Sequence, residues 1–248
     1  MPGHDTAFHP LHDVLSAFGL LSRIPVPTTP HHRANAVWAW PIVGCVIGLI
    51  AVAGGCAATR FGLSAATAAV IALMLPMVLT GAMHEDGLAD TLDGLFGGWT
   101  VERRLEIMKD SRIGTYGTLG LVITALLGWT LLEEMMAEGA WMKVVAAASL
   151  SRVPMSALMV ALPNARKTGL SSSVGRPAMG FVFAGAVIAI TLGIALTEDP
   201  SVISRMLMAA VASTLAIGAI AKHKIGGQTG DILGASQQLS FLAALACA

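Results

Sequence analysis

The stretch ANAVWAWPIVGCVIGLIAVAGGCAAT, residues Ala34–Thr59, runs for 26 residues without one charged side chain. The hydrocarbon core of a bilayer is about 30 Å thick, so a crossing helix needs about 20 apolar residues. Comparable uncharged intervals recur at 61–84, 113–132 and 177–197, of 24, 20 and 21 residues. Shorter ones lie at 206–221 and 232–248. Trp141–Leu162 is interrupted only by Lys143 and Arg152. Composition agrees. Of 248 residues, 55% are hydrophobic and 12% charged, against about 25% charged in a soluble domain. So little charge cannot clothe a water-soluble globule, and so apolar a chain is not disordered. Barrel strands would alternate in segments of about 10 residues, whereas these runs are continuous. The fold expected is all-α: a polytopic helical membrane protein, one integral-membrane domain over 1–248 embedded in the lipid bilayer.

Seven spans are expected: Val37–Ala58, Ser64–Met83, Thr115–Leu132, Trp141–Leu162, Met179–Leu196, Ile203–Ala221 and Ile232–Ala248. The last is short and carries Gln237 and Gln238. Cys45, Cys56 and Cys247 sit in apolar runs and read as small hydrophobes, not as a disulfide framework. Net charge is zero, so no global field recruits nucleic acid. Gly- and Ala-rich spans pack closely within one chain or between chains, which is compatible with a homo-oligomer.

Residues 1–36 form an N-terminal segment. It opens with His4 and Asp5 and lacks the central apolar block of a signal peptide. Leu11, Val14, Leu15, Phe18 and Leu21 share one helical face. That predicts an amphipathic helix, lying on the membrane surface or, equally, packed on the protein's own body. Pro25, Pro27 and Pro30 end it. Orientation follows the basic residues. With alternate loops on opposite sides, eleven lysines and arginines fall on one side and three on the other, Arg152 lying within a span. The positive-inside rule makes the rich side cytoplasmic.

The chemistry gathers on that side, first in the acidic segment 84–114. It begins His84-Glu85-Asp86-Gly87-Leu88-Ala89-Asp90-Thr91-Leu92-Asp93-Gly94. Continued as a helix from the second span, this places Asp86, Asp90 and Asp93 on one face at i, i+4 and i+7. Like charges at that spacing repel, so a cation between them is favoured over a solvated acidic loop. Oxygen ligands point to Mg²⁺ or Mn²⁺ over zinc. A second block, Lys109-Asp110-Ser111-Arg112-Ile113-Gly114-Thr115-Tyr116-Gly117, offers donors suited to phosphate oxygens in Lys109, Ser111 and Arg112. Arg103, Arg104 and Glu106 before it read as ordinary charge pairs. Arg152, deep in an apolar span, should face the bundle interior or a polar cavity. The loop Arg166-Lys167-Thr168-Gly169-Leu170 is basic and flexible, suited to closing over an anion. Gly226-Gly227-Gln228-Thr229-Gly230-Asp231 combines close-approach glycines with one carboxylate. The residues alone point to a membrane-embedded phosphoryl-group transferase, its active site facing the cytoplasm.

Arg23-Ile-Pro-Val-Pro, His84-Glu-Asp-Gly-Leu-Ala-Asp-Thr-Leu-Asp-Gly, Ile107-Met-Lys-Asp-Ser-Arg-Ile-Gly-Thr-Tyr-Gly, Ser151-Arg152 and Gly226-Gly-Gln-Thr-Gly-Asp together resemble the cobalamin synthase family of adenosylcobinamide-GDP ribazoletransferases. The resemblance runs in order over nearly the whole chain. It implies a multi-pass bacterial inner-membrane enzyme that needs Mg²⁺. Such an enzyme joins adenosylcobinamide-GDP to α-ribazole or its 5′-phosphate, releasing GMP, by in-line attack of a ribose hydroxyl on a pyrophosphate. It implies Asp86, Asp90 and Asp93 as metal and catalytic carboxylates, with Glu85 a further metal ligand and His84 a catalytic neighbour. Lys109 and Arg112 would act on the leaving group. Asp110, Ser111, Arg152, Arg166, Lys167 and Asp231 would bind substrate. One departure stands out. Relatives often carry an acidic residue after Gly-Asp-x-Leu-Gly-Ala, where this chain has Ser236-Gln237-Gln238. A CDP-alcohol phosphotransferase spaces its aspartates differently. A transporter would hold its acids near the midplane and show repeat symmetry, and neither is seen here.

Overall fold

The computed structural model describes residues 9–27 and 33–248. His4, Asp5 and Pro30, which carry part of the reading of the N-terminal segment, lie outside them. The described residues form helices and no strand. A first helix, α1 (Pro10–Leu21), precedes a 3₁₀ turn (Ala34–Ala39) that runs into α2 (Trp40–Arg60). Then come α3 (Ala65–Thr80), α4 (Met83–Gly97), α5 (Val101–Ile107) and α6 (Thr115–Ala137). The chain continues through α7 (Trp141–Leu150), α8 (Val153–Ala161), the short α9 (Leu170–Val174), α10 (Met179–Thr197), α11 (Pro200–Ile225) and α12 (Gly230–Ala246).

The protein is an all-α, polytopic membrane protein. Among the described residues five helical segments are long and apolar enough to cross a membrane: Ala34–Arg60, Thr115–Ala137, Trp141–Ala161, Met179–Thr197 and Pro200–Ile225. A sixth is counted if α3 and α4 are taken as one bent span. The expected seventh, over 232–248, appears as α12, 17 residues long, with Ser236, Gln237 and Ser240 buried. It packs mainly against α4 and α11. Its glutamines are therefore interior groups, and its hydropathy is that of a core helix.

Trp141–Ala161 is 83% buried and forms the centre, while α6, α10 and α11 are only 17–28% buried in their apolar windows. Side chains such as Ile123 on α6, Phe183 on α10 and Leu215 on α11 are 61–70% exposed, the outer surface expected of lipid-facing helices. Two buried clusters fill the interior. One, around Trp40, Met155, Met159 and Ile232, underlies the end where α4 lies. The other, around Ala68, Leu132, Val145 and Met206, fills the far end.

One expectation changes. The acidic segment does not continue the second span. α3 stops at Gly81 (φ 67°) and Ala82 (φ 56°), both left-handed, and α4 leaves at 88° to it. The stop closes with Ala82 N–H donating to the Met77 carbonyl at 2.7 Å, a Schellman-type ending. Arg23 braces this corner. Its amide donates to the Leu79 carbonyl at 2.6 Å, and its side chain lies where a Cβ on Gly81 would be.

The expected span Trp141–Leu162 stands as Trp141–Ala161, with a two-residue turn at Ser151-Arg152, because Pro154 has no amide to bond back into the helix and its ring crowds the preceding turn. The N-terminal helix packs on the protein's own body, against the 3₁₀ turn and α2. Its buried residues are Asp13, Ser16, Ala17 and Leu21, so the face turned inward is rotated from the apolar one, and Leu11 is 68% exposed. Asp13 directs this rotation: it accepts from Trp38 Nε1 at 3.1 Å and pairs with Arg33 at 3.2 Å.

Candidate functional site

α2 leaves one end of the bundle and α3 returns to it. The same end receives the start of α4, the α8–α10 connection and the α11–α12 turn. There a cleft of about 170 Å³ opens, lined by α1, Trp40, the first turn of α4, α8, residues 164–174 and residues 228–234. Sequence-distant segments meet here because glycine lets two helices touch. A Cβ on Gly87 of α4 would stand 3.0 Å from the Asp231 carbonyl oxygen and 3.3 Å from the Gly234 Cα. The α4 and α12 backbones thus cross in contact at Gly87 and Gly234, the small-residue crossing of membrane helices.

That crossing sets Asp86 and Asp90, one turn apart on α4, against Asp231 in the first turn of α12. Asp86 is exposed and lines the cleft, as does Asp231. Burial, then the neighbouring charges of Asp86 and Asp231, push the Asp90 carboxyl up to about 7. A cation shared among these groups would relieve that repulsion. Asp231 is held by Arg166 Nη2 at 2.9 Å and by the Thr229 hydroxyl at 3.1 Å. Thr229 Oγ1 also accepts from Ile232 N–H at 3.3 Å and so caps α12. Arg166 keeps its buried Nε without a partner, a donor left over on a cleft-lining side chain. Lys167 next to it is exposed.

The wall opposite is fixed by side chains that no sequence spacing singled out. Asn164 and Gln228 pair as a short parallel bridge, with Gln228 N–H donating to the Pro163 carbonyl and Ala165 N–H to the Gln228 carbonyl, both at 2.8 Å. Gln228 Nε2 donates to Asn164 Oδ1, and the Ser171 hydroxyl lies 2.8 Å from Gln228 Oε1. This network rivets the Arg166-bearing loop to the turn before α12. Only the glycines of that turn gave a hint of it.

Other expected site residues fall elsewhere. Asp93 does not line the cleft, although its charge acts on Asp90. Its Oδ2 accepts Gly114 N–H at 2.6 Å and its Oδ1 accepts Gly117 N–H at 2.8 Å. It therefore sits as an anion on the exposed amides at the start of α6, where the helix dipole favours negative charge. Glu85 turns away from the cleft, about 100° around the helix from Asp86, and accepts from Gln238 Nε2 at 2.7 Å. Among the described residues no group of three or more His, Cys, Asp or Glu side chains is gathered closely enough to hold a metal by itself.

His84 and Arg152 are both buried, and His84 Nε2 meets Arg152 Nη1. Arginine has no acceptor, so this nitrogen must carry the lone pair and the ring proton sits on Nδ1. Arg152 faces the bundle interior, as an intramembrane arginine should. Lys109, Asp110, Ser111 and Arg112 are exposed and do not line the cleft. Arg112 forks onto Asp110 at 3.2 and 2.8 Å, and that contact holds the Asp110 carboxyl down at about 2. Arg103 pairs with Glu106 at 2.7 Å on the surface. Arg104 instead donates to the Gly98 and Lys224 carbonyls at 3.0 and 2.9 Å, tying α5 to α11.

Fold and site together describe a multi-pass membrane protein with a polar cleft at one end, where carboxylates and basic side chains meet two helix starts. The chain matches the profile of the Cobalamin-5-phosphate synthase family over residues 13–248 and belongs to that family. Its relatives include the adenosylcobinamide-GDP ribazoletransferase of Azorhizobium caulinodans, 41% identical over 248 residues, covering 95% of this chain and 94% of that one. The protein of the same name from Bradyrhizobium diazoefficiens is 39% identical, covering 96% and 93%. That from Mesorhizobium japonicum is 38% identical, covering 95% and 92%. No solved structure matches the chain.

Proposed function

We propose that this protein joins adenosylcobinamide-GDP to α-ribazole, or to α-ribazole 5′-phosphate, and releases GMP. The new bond links the ribose hydroxyl oxygen to the phosphorus that carries the cobinamide arm. The bond that breaks is the pyrophosphate P–O bond, and GMP leaves with its electron pair. The observation that carries this reading is a cleft at which Asp86 and Asp231 meet Arg166, with Asp90 one turn further along α4 and near enough to feel all three charges. Phosphoryl transfer of this kind needs positioning and charge stabilisation more than covalent chemistry.

The chain's own groups suit the parts. Arg166 and Lys167 supply donors for pyrophosphate oxygens. The carboxylates on α4 stand where a hydroxyl proton could be accepted. The α4 carboxylates also fit a divalent cation: Asp86 and Asp90 lie one turn apart, and Asp90 is raised by burial first and then by the charges of Asp86 and Asp231. Magnesium is commonly held by one or two carboxylates, with substrate phosphates completing the shell. Asp86 and Asp90 would hold it with Asp231 near, and when bound it would neutralise pyrophosphate charge.

The basic asymmetry and the gathering of the site at one end support a cytoplasmic active site in the bacterial inner membrane. The test is GMP release by the purified protein from adenosylcobinamide-GDP with and without α-ribazole. Release only when both are present is the expected result. Release independent of α-ribazole would refute the transfer.

A further inference from the structure

Arg166 and Asp231, the charged pair of the cleft, are 65 residues apart in the chain and 2.9 Å apart in space. Asp231 stands on the first turn of α12, a rigid element. Arg166 stands on the connection between α8 and α9, which has no helix to fix it, so its place depends on where its polar groups bond. One residue joins the two segments. Gln228 is 2% exposed, and all four of its polar groups bond to the Arg166 side. Its N–H donates to the Pro163 carbonyl and its carbonyl accepts from Ala165 N–H, both at 2.8 Å. Its Nε2 donates to Asn164 Oδ1, and its Oε1 accepts from the Ser171 hydroxyl at 2.8 Å. The approach is close enough that a Cβ on Gly227 would overlap the Pro163 carbonyl oxygen. On its other side Gln228 adjoins Thr229, which holds Asp231 at 3.1 Å and caps α12.

We propose that Gln228 is a positioning residue for the transfer: it sets where Arg166 meets the pyrophosphate, and it does so independently of the Arg166–Asp231 ion pair. The inference rests on the transferase reading above and adds the residue that places its cation.

Arg166 has two uses in that reading. Without substrate its Nη2 is bonded to Asp231. With substrate its donors must serve phosphate oxygens, and a divalent cation near Asp231 competes with the guanidinium for the same carboxylate. If the ion pair were the only tie, charge entering the cleft would loosen the segment that carries Arg166. Among the described residues the other side-chain hydrogen bonds of residues 163–174 stay within that stretch: Ser171 to Asn164, Ser172 to the Lys167 carbonyl and Ser173 to the Leu170 carbonyl. The Gln228 bonds are made between neutral groups, so they persist when charge is exchanged in the cleft. Glutamine suits the place because one uncharged end offers both a donor and an acceptor. Breaking such a join from one side leaves buried Asn164 and Ser171 groups unpaired, which is costly. A misplacement of about 1 Å can lower turnover by about 100-fold.

The test uses the full-length protein in detergent, with GMP release normalised to folded protein. Gln228→Leu keeps the bulk and the main-chain bonds and removes both side-chain bonds. It should lower kcat/KM for adenosylcobinamide-GDP by roughly 10- to 100-fold. The KM for that substrate should rise while the KM for α-ribazole, which brings no pyrophosphate, stays within about twofold. Ser171→Ala removes one bond of the same hub and should shift the same KM in the same direction by a smaller factor, which keeps the test alive if Gln228→Leu does not fold. Arg166→Lys keeps the charge on a flexible stem that depends less on where its segment stands. In that background Gln228→Leu should cost less than about threefold, since the two residues act through one interaction. Equal losses in the two backgrounds would overturn the proposal, as would a rise in both KM values together or unchanged turnover by Gln228→Leu and Ser171→Ala. Absence of GMP release by the wild type with both substrates present would instead remove the transferase reading, and this role with it.

Discussion

Asp93→Asn separates a structural aspartate from a catalytic one. Asp93 is 8% exposed, and its two oxygens accept Gly114 and Gly117 N–H at 2.6 and 2.8 Å. Asparagine retains one acceptor and turns an NH₂ toward the other amide, which then has no partner. Loss of a charge-assisted hydrogen bond costs about 1.5–3 kcal/mol, and loss of the anion at the helix start about 0.3–1 more. The expected loss is therefore about 2–4 kcal/mol. For a chain of this length each kcal/mol lowers the melting temperature by about 2–4 °C, so the shift should be about 4–16 °C. Gly114→Ala should reproduce it, because its Cβ would stand 2.6 Å from Asp93 Oδ1. The assay pairs thermal unfolding in detergent with GMP release normalised to folded protein. Asp93→Asn should lose stability and retain turnover per folded molecule. Wild-type melting with abolished turnover would refute the capping role and return Asp93 to the catalytic set.

Asp86→Asn and Asp90→Asn should do the reverse. Each is expected to cut GMP release by roughly 10²-fold or more, at the scale of losing a charge contact in a transition state, with melting near wild type; chelation by EDTA should stop turnover and Mg²⁺ or Mn²⁺ restore it. Gly87→Ala forces α4 and α12 apart by about half an ångström, since carbon contacts sit at about 3.5–4.0 Å. It should lower turnover by roughly 10- to 100-fold through misplacement, while Gly180→Ala, which meets nothing within 4 Å, changes nothing; equal turnover by Gly87→Ala would dismiss the crossing as a positioning device. Cysteines introduced at Thr100 and Ala137, in a background without Cys45, Cys56 and Cys247, should label from opposite faces of the membrane, and outside labelling of Thr100→Cys in intact cells would reverse the orientation.

Apolar runs made the helices legible because hydropathy in a membrane chain reflects length against bilayer thickness. It failed where a helix is buried by protein instead of lipid. α12 carries Ser236, Gln237 and Ser240 in its interior, with Gln237 Nε2 donating to the Ser151 hydroxyl at 2.9 Å. The break at Ser151-Arg152 was readable from Pro154. The aspartate stripe was legible for Asp86 and Asp90. At Asp93 the same i+7 spacing also serves a cap on another helix. Gly114 and Gly117 carried the missing signal, since a carboxylate needs the space their absent Cβ atoms leave. The meeting of Gly87 with Gly234, and of Asn164 with Gln228, joins positions far apart in the chain, and no local pattern encodes it.

The corner at Gly81-Ala82 ties these observations together. Alanine at φ 56° is unfavourable by about 1–2 kcal/mol, so something else must favour the turn. A straight continuation of α3 would have carried Asp86 and Asp90 along the bundle axis and away from α12. Turned by 88°, α4 instead lays Gly87 on Gly234 and brings its first two aspartates to Asp231 and Arg166. The same turn carries the far end of α4 to the start of α6, where Asp93 caps two amides. The strain at Ala82 is thus offset at both ends of α4, by a close helix crossing at one and a charged cap at the other. Arg23, bonded to the Leu79 carbonyl and packed over Gly81, holds the outside of the corner. One local distortion converts a transmembrane hairpin into a platform that presents carboxylates to a cleft.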